Sequence, residues 1–169
     1  MPGPPIIRRA HTPDDLDHVK ALFRAYVDWL AIDLSYQGFE EELAGLPGKY
    51  APPTGALFLA ETQDRPGLGC VAVRPLDEPG ICEMKRLYVR DDARGLGLGH
   101  RLVDVIVEEA RELGYREMRL DTLPSMTGAI SLYERHGFKR IPAYYDTPVS
   151  ETVFFALDLL TSGQSGRKS

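Results

Sequence analysis

The segment that most restricts the fold is a strand that runs into three alternating glycines and out into a helix. Ile81 to Val89 is β-rich, Arg94-Gly95-Leu96-Gly97-Leu98-Gly99 is the loop, and a helical pattern runs from about Gly99 to Leu113. Leu102, Val103, Ile106, Val107, Ala110 and Leu113 recur at helical spacing, so one face of this helix must be covered. Gly114 is a natural C-terminal cap. Glycines let backbone amides approach a ligand without interference from Cβ. The start of a helix adds unpaired N–H groups and the positive end of its dipole, so a loop of this form suits phosphate. Arg94 and Arg101 can add charge-assisted hydrogen bonds.

The surrounding pattern fills in the architecture. Ile6–Ala10 reads as a first strand. Thr12 is an N-cap candidate, Pro13 takes the first helical position, and Asp14 and Asp15 complement the dipole. Leu16, Val19, Phe23, Tyr26, Val27 and Leu30 mark the apolar face of that helix. A short helix is expected over Phe39–Leu46, then strands over Ala56–Glu61, Gly69–Arg74 and Ile81–Val89. Asp64-Arg65-Pro66-Gly67 and Asp77-Glu78-Pro79-Gly80 separate those strands as turns. Beyond the glycine loop and its helix come a strand at Glu117–Leu123, a helix at Met126–His136 and strands at Phe138–Ile141 and Val153–Leu159. Three strands in a row predict an antiparallel meander, and strand–helix–strand predicts a parallel crossover. The expected fold is mixed α/β (α+β), with a mostly antiparallel central sheet of six to seven strands flanked by helices. Residues 1–160 are expected to form one domain and Thr161–Ser169 a polar disordered tail.

A length of 169 residues suits a single core. The net charge of −5 and a pI of about 5.4 argue against nucleic acid as the main partner. No apolar run approaches the roughly 18 residues of a membrane span. Met1-Pro2-Gly3-Pro4-Pro5 lacks the charged and apolar regions of a signal peptide, so a cytoplasmic protein is expected. Two cysteines, Cys70 and Cys82, make neither a disulfide framework nor a zinc cluster. The histidines His11, His18, His100 and His136 lack metal-ligand spacing, so no metal is expected.

Read alone, the glycine loop admits several meanings. It can be a plain tight turn. It fails as a dinucleotide fingerprint, because the third glycine position is His100 when counted from Gly95 and Leu102 when counted from Gly97. Asp121 stands near the distance of a ribose-binding acid but cannot repair that pattern. A nucleotide P-loop needs Gly-Lys-Ser/Thr, and no lysine follows these glycines.

A second motif decides among them. Arg94-x-x-Gly97-x-Gly99 resembles the [QR]-x-x-G-x-[GA] loop of the GNAT superfamily of acyl-CoA N-acyltransferases. About 35 residues later, Ala129-Ile130-Ser131-Leu132-Tyr133-Glu134-Arg135-His136-Gly137-Phe138 is similar to its A-x-x-L-Y-x-x-x-G-F segment. Leu87-Tyr88-Val89 resembles the family's bulged strand. The resemblance is sharpest from Ile81 to Phe138, and the order of elements extends it to nearly the whole chain.

The resemblance implies acetyl-CoA as co-substrate and a small amine as acceptor, with the protein a monomer or homodimer. Backbone amides of Arg94, Gly95, Leu96, Gly97, Leu98, Gly99 and His100 would hold the pyrophosphate, assisted by the Arg94 and Arg101 side chains. Leu87, Tyr88 and Val89 would pair with the pantetheine arm. Tyr133 matches the tyrosine that protonates the departing thiolate, and Glu83 matches a frequent catalytic glutamate. Many members carry Asn where this chain has Met126, so Thr122, Ser125 or Thr127 would have to substitute.

Amine acetylation needs a neutral nucleophile. An alkyl amine of pKa near ~10.4 is neutral only about once in 2,500 at pH 7, a penalty of roughly 4–5 kcal/mol. Glu83 could take the proton, an N–H of Tyr88 or Val89 could hold the oxyanion, and Tyr133 could return a proton to sulfur. Plainer roles stand beside these. Tyr133 could be core, Glu83 could make a cross-strand ion pair, and Cys82 reads as a buried strand residue. Aromatic residues Tyr26, Trp29, Tyr36, Tyr144 and Tyr145, with acids nearby, form the expected acceptor pocket. The competing functions are a non-catalytic acyl-CoA-binding sensor and a nucleotide-dependent oxidoreductase.

Overall fold

The computed structural model describes residues 3–30 and 38–160. Alternation in the strands accounts for its layers. Ala56, Phe58 and Ala60 of β2 (Ala56–Glu61) enter one core, while Leu57 and Leu59 enter another on the opposite face. β3 (Gly69–Pro75) divides in the same way, with Val71 and Val73 on the first face and Cys70 and Ala72 on the second. The first face is covered by Leu102, Val103, Ile106 and Ala110 of α3 (Leu98–Glu112) and by Leu132 and Tyr133 of α4 (Thr127–Arg135). The second is covered by Val19, Leu22 and Phe23 of α1 (Pro13–Leu30), with Phe39 and Leu43 of α2 (Phe39–Ala44).

The remaining strands are β1 (Ile6–Arg9), β4 (Ile81–Val89), β5 (Glu117–Thr122), β6 (Lys139–Ile141) and β7 (Val153–Asp158). All seven form one sheet in the order β1-β2-β3-β4-β5-β7-β6, antiparallel except between β4 and β5. The expected mixed sheet is therefore present, with β2 and β4 at their expected limits and β3 one residue longer, ending at Pro75 rather than Arg74. Small differences have local causes. The glycine helix opens at Leu98, one residue early, because Gly97 takes the left-handed conformation (φ 74°) immediately before it. α2 ends at Ala44 rather than Leu46, where the Gly45 N–H closes onto Glu41 and Leu43. The expected tail lies outside the described residues. Among the described residues no helix is long and apolar enough to cross a membrane.

Two irregularities shape the middle of the sheet. Cys70 pairs with Tyr88 but Ala72 pairs with Lys85, so β4 carries one extra residue. Arg86 absorbs it at φ 59°, a left-handed conformation uncommon outside glycine. Its guanidinium is fastened to Glu42 at 2.9 and 3.0 Å, and Tyr50 Oη donates to the same carboxylate at 3.0 Å. Secondly, β4 and β5 pair only from Ile81–Glu117 to Glu83–Arg119. Beyond that point β5 stays with β7, from Glu117–Asp158 to Thr122–Val153, and a gap opens beside β4.

Candidate active site

Two connected hollows occupy that gap. The outer one is a groove of about 610 Å³ between the end of β4, the glycine loop and the start of α4. Leu87, Tyr88, Val89, Arg94, Gly95, Gly97, Leu98, Gly99, His100 and Ser125 all form its wall. Gly95 (φ 90°) and Gly97 take conformations that a side chain strains, and a Cβ at either would project into open space. No side chain caps α3, so the N–H groups of its first turn are available to an anion. This arrangement fits a phosphate-bearing ligand.

Not every residue of the loop faces the groove. Leu96 is exposed and lies off the wall. Arg101 points elsewhere and donates to the Pro5 carbonyl at 2.9 Å. Arg94 is braced as well as exposed: it lies 4.6 Å over the Trp29 ring, donates to the Val89 carbonyl and pairs with Asp91 at 2.7 Å. His100 meets His136 at 3.0 Å between ring nitrogens.

The inner hollow lies in the splay itself. Its wall includes Tyr26, Lys85, Arg86, Leu87, Asp121, Thr122, Met126 and Tyr133. Trp29, Leu87, Met126 and Ala129 belong to both hollows, so the two meet there. Ser125 and Thr127 thus stand on the outer groove, whereas Thr122 stands on the inner one.

Tyr133 packs against Phe138 and Phe155 and is 7% exposed. Burial, then the nearby Tyr26 and Asp121, push its ionisation well above the ordinary tyrosine range, so it keeps its proton. Glu83 is 1% exposed and is held from two sides. Arg74 Nε donates to it at 2.8 Å and Tyr144 Oη at 2.6 Å, and it is not part of the wall of either hollow. Tyr145, the next residue, donates to Asp121 at 2.6 Å. Both late-loop tyrosines therefore hold carboxylates, of buried Glu83 and half-buried Asp121, rather than forming a wall of the two hollows. Tyr26 faces the inner hollow, Trp29 borders both, and Tyr36 lies outside the described residues.

Lys85 and Asp121 are the residues that sequence reasoning did not assign to catalysis or binding. Lys85 Nζ stands 3.9 Å from Asp121 Oδ1 across the splay. Lys85 is 6% exposed, and burial lowers its pKa against the opposing pull of Glu83 and Asp121. A signal was present. Glu83 and Lys85 alternate in the middle of a central strand, where charge is costly unless paired.

The sequence profile of the Acetyltransferase (GNAT) family matches residues 23–138, more than half of the chain. The chain belongs to the GNAT acetyltransferases. A Schizosaccharomyces pombe protein named as an uncharacterised N-acetyltransferase is 44% identical over 87% of this chain and 90% of its own. An Escherichia coli protein with the same description is 30% identical over 83% and 85%. Among solved structures, a Klebsiella pneumoniae chain assigned to the acyl-CoA N-acyltransferases has a TM-score of 0.72 at 28% identity, covering 92% of this chain and 97% of its own. A Staphylococcus aureus GNAT acetyltransferase reaches 0.77 at 18% identity, over 92% and 99%, and shows the shared fold. This GNAT chain is an acyltransferase enzyme.

Proposed function

We propose that this GNAT enzyme transfers the acetyl group of acetyl-CoA directly to the primary amine of a small molecule. The observation that carries this reading is the junction of the two hollows at Leu87, Met126 and Ala129, with Tyr133 on the inner wall. The outer groove offers amides and Arg94 to a pyrophosphate. The inner hollow encloses only about 90 Å³, so the part of the acceptor that enters it must be small.

Catalysis on this reading divides between two sides of the splay. Asp121, which faces the hollow, takes the proton of the acceptor ammonium as nitrogen attacks the thioester carbon. An N–H of the bulged strand, at Tyr88 or Val89, holds the developing oxyanion. As the carbon–sulfur bond breaks, the Tyr133 hydroxyl gives its proton to the leaving sulfur, and the second proton shed by the nitrogen as the amide forms restores the tyrosine. Glu83, the proton acceptor expected from sequence, stands behind the wall and supports the charge balance around Lys85.

Thiol release from acetyl-CoA tests the proposal, with wild type and Tyr133→Phe assayed against a broad amine panel and a blank without amine. Amine-dependent release that falls about 10²-fold in kcat for the variant is expected. Acetyl-CoA binding without turnover of any amine would favour the sensor reading, and absence of binding would overturn the assignment of the groove.

A further inference from the structure

Resting on the donor reading above, we infer that Trp29 is a positioning residue for acetyl-CoA: from α1 it fixes the Arg94 guanidinium on the wall of the outer groove, with one edge open to the pyrophosphate. The Arg94 guanidinium carbon lies 4.6 Å from the centre of the Trp29 ring and 5.9 Å from that of Tyr88. Those rings stand 5.7 Å apart, so the cation is seated on an aromatic pair, one ring from α1 and one from β4. Trp29, Tyr88 and Arg94 all belong to the wall of the outer groove, and Trp29 is 41% exposed there. The sequence reading gave Trp29 to the acceptor; this contact ties it to the donor.

The donor geometry of arginine gives the stack its purpose. A guanidinium presents its N–H groups in one plane, and an aromatic face consumes none of them. Arg94 Nε donates to the Val89 carbonyl at 3.1 Å, and Nη1 lies 2.7 Å from Asp91. Among the described residues Nη2 makes no hydrogen bond, so that end of the fork is left for an anion. Asp91 alone is a poor anchor, because its side chain is 79% exposed and exposed ion pairs hold weakly. The loop that follows offers no better one, since Gly95 and Gly97 have no side chain to pack on the arginine. A second carboxylate would brace the group only by taking its donors and offsetting its charge. The Trp29 ring braces it and leaves both to the ligand.

The test is a double-mutant cycle on CoA affinity, measured by calorimetry with the full-length enzyme and no acceptor. Arg94→Met is expected to weaken CoA binding about 10-fold, the loss of a charge-assisted contact. Trp29→Leu is expected to weaken it about 5-fold, and Trp29→Phe, which keeps an aromatic face, by less. In the Arg94→Met background Trp29→Leu should have no further effect, because the ring has no cation left to hold. Thermal melts confirm that each variant folds. An equal loss from Trp29→Leu with and without Arg94 would show that the ring meets the ligand itself and would overturn the inference. Wild-type affinity in Trp29→Leu or in Arg94→Met would overturn it too. In each of these cases CoA still binds and the transferase reading stands. Absence of CoA binding to the wild type would overturn the assignment of the groove and this inference with it.

Discussion

Adjacent tyrosines each hold one carboxylate of the candidate site, Tyr144 on Glu83 and Tyr145 on Asp121, both at 2.6 Å. The two acids are nevertheless not equivalent, because Asp121 belongs to the wall of the inner hollow and Glu83 does not. Asp121→Asn is expected to lower kcat about 10²-fold at neutral pH, with partial recovery at high pH where free amines deprotonate unaided; a pH–rate profile checks this. Glu83→Gln should act first on stability. It leaves the Arg74 guanidinium without a charged partner and costs about 1–3 kcal/mol, read by chemical denaturation. The cysteines predict a different outcome. Cys70 is pushed up to about 12 and Cys82 is raised as well, both chiefly by burial. Neither thiol should react with a disulfide reagent in the native protein at pH 8, and both should react on unfolding.

At the scale of elements, α1 is anchored by a reciprocal cap. Thr12 Oγ1 accepts the Asp15 N–H at 3.1 Å, while Asp15 Oδ2 accepts the N–H groups of Thr12 and His11. Arg8 of β1 adds two hydrogen bonds to the same carboxylate, at 2.7 and 2.9 Å. These contacts hold the Asp15 carboxyl well below the usual carboxylate range, the Arg8 bond contributing most. A depressed folded-state pKa contributes stability that is fully present above the unfolded value of about 3.9 and is lost as pH falls below it. Asp15→Asn is therefore expected to cost about 2–4 kcal/mol at pH 7, and the gap to wild type should shrink between about pH 4 and pH 2. Thermal melts across that range are the check. The site depends on this cap because α1 carries Tyr26 and Trp29 to the hollows.

Across the whole molecule, the sheet is continuous in pairing except where β4 and β5 part. A ligand lying in that gap would bridge its two halves. Acetyl-CoA at about 100 times its Kd is expected to stabilise the protein by about 2.7 kcal/mol. For a chain of this size that raises Tm by about 5–11 °C. Hydrogen exchange should slow at Leu87–Val89 and in the first turn of α3. Stabilisation without protection at those amides would place the ligand elsewhere.

Local chemistry made most of the architecture readable. Strand alternation placed β2 and β4 at their observed limits, the apolar stripe defined α3, and the glycines announced the phosphate-suited loop, because each is a property of neighbouring residues. The candidate proton donor was legible for the same reason, since Tyr133 lies in a continuous motif. The roles of the charged residues were not. Whether Glu83 or Asp121 reaches the hollow depends on where β4 leaves β5 and on which carboxylate each tyrosine of a distant loop finds. Arg101 looks like a loop cation in sequence, yet it spends its guanidinium on Pro5. Thus the sequence by itself determined the elements, their order and the family. Only the tertiary structure decided that Lys85 faces Asp121, because long-range strand pairing and the single-residue bulge at Arg86 set which side chains share the splay.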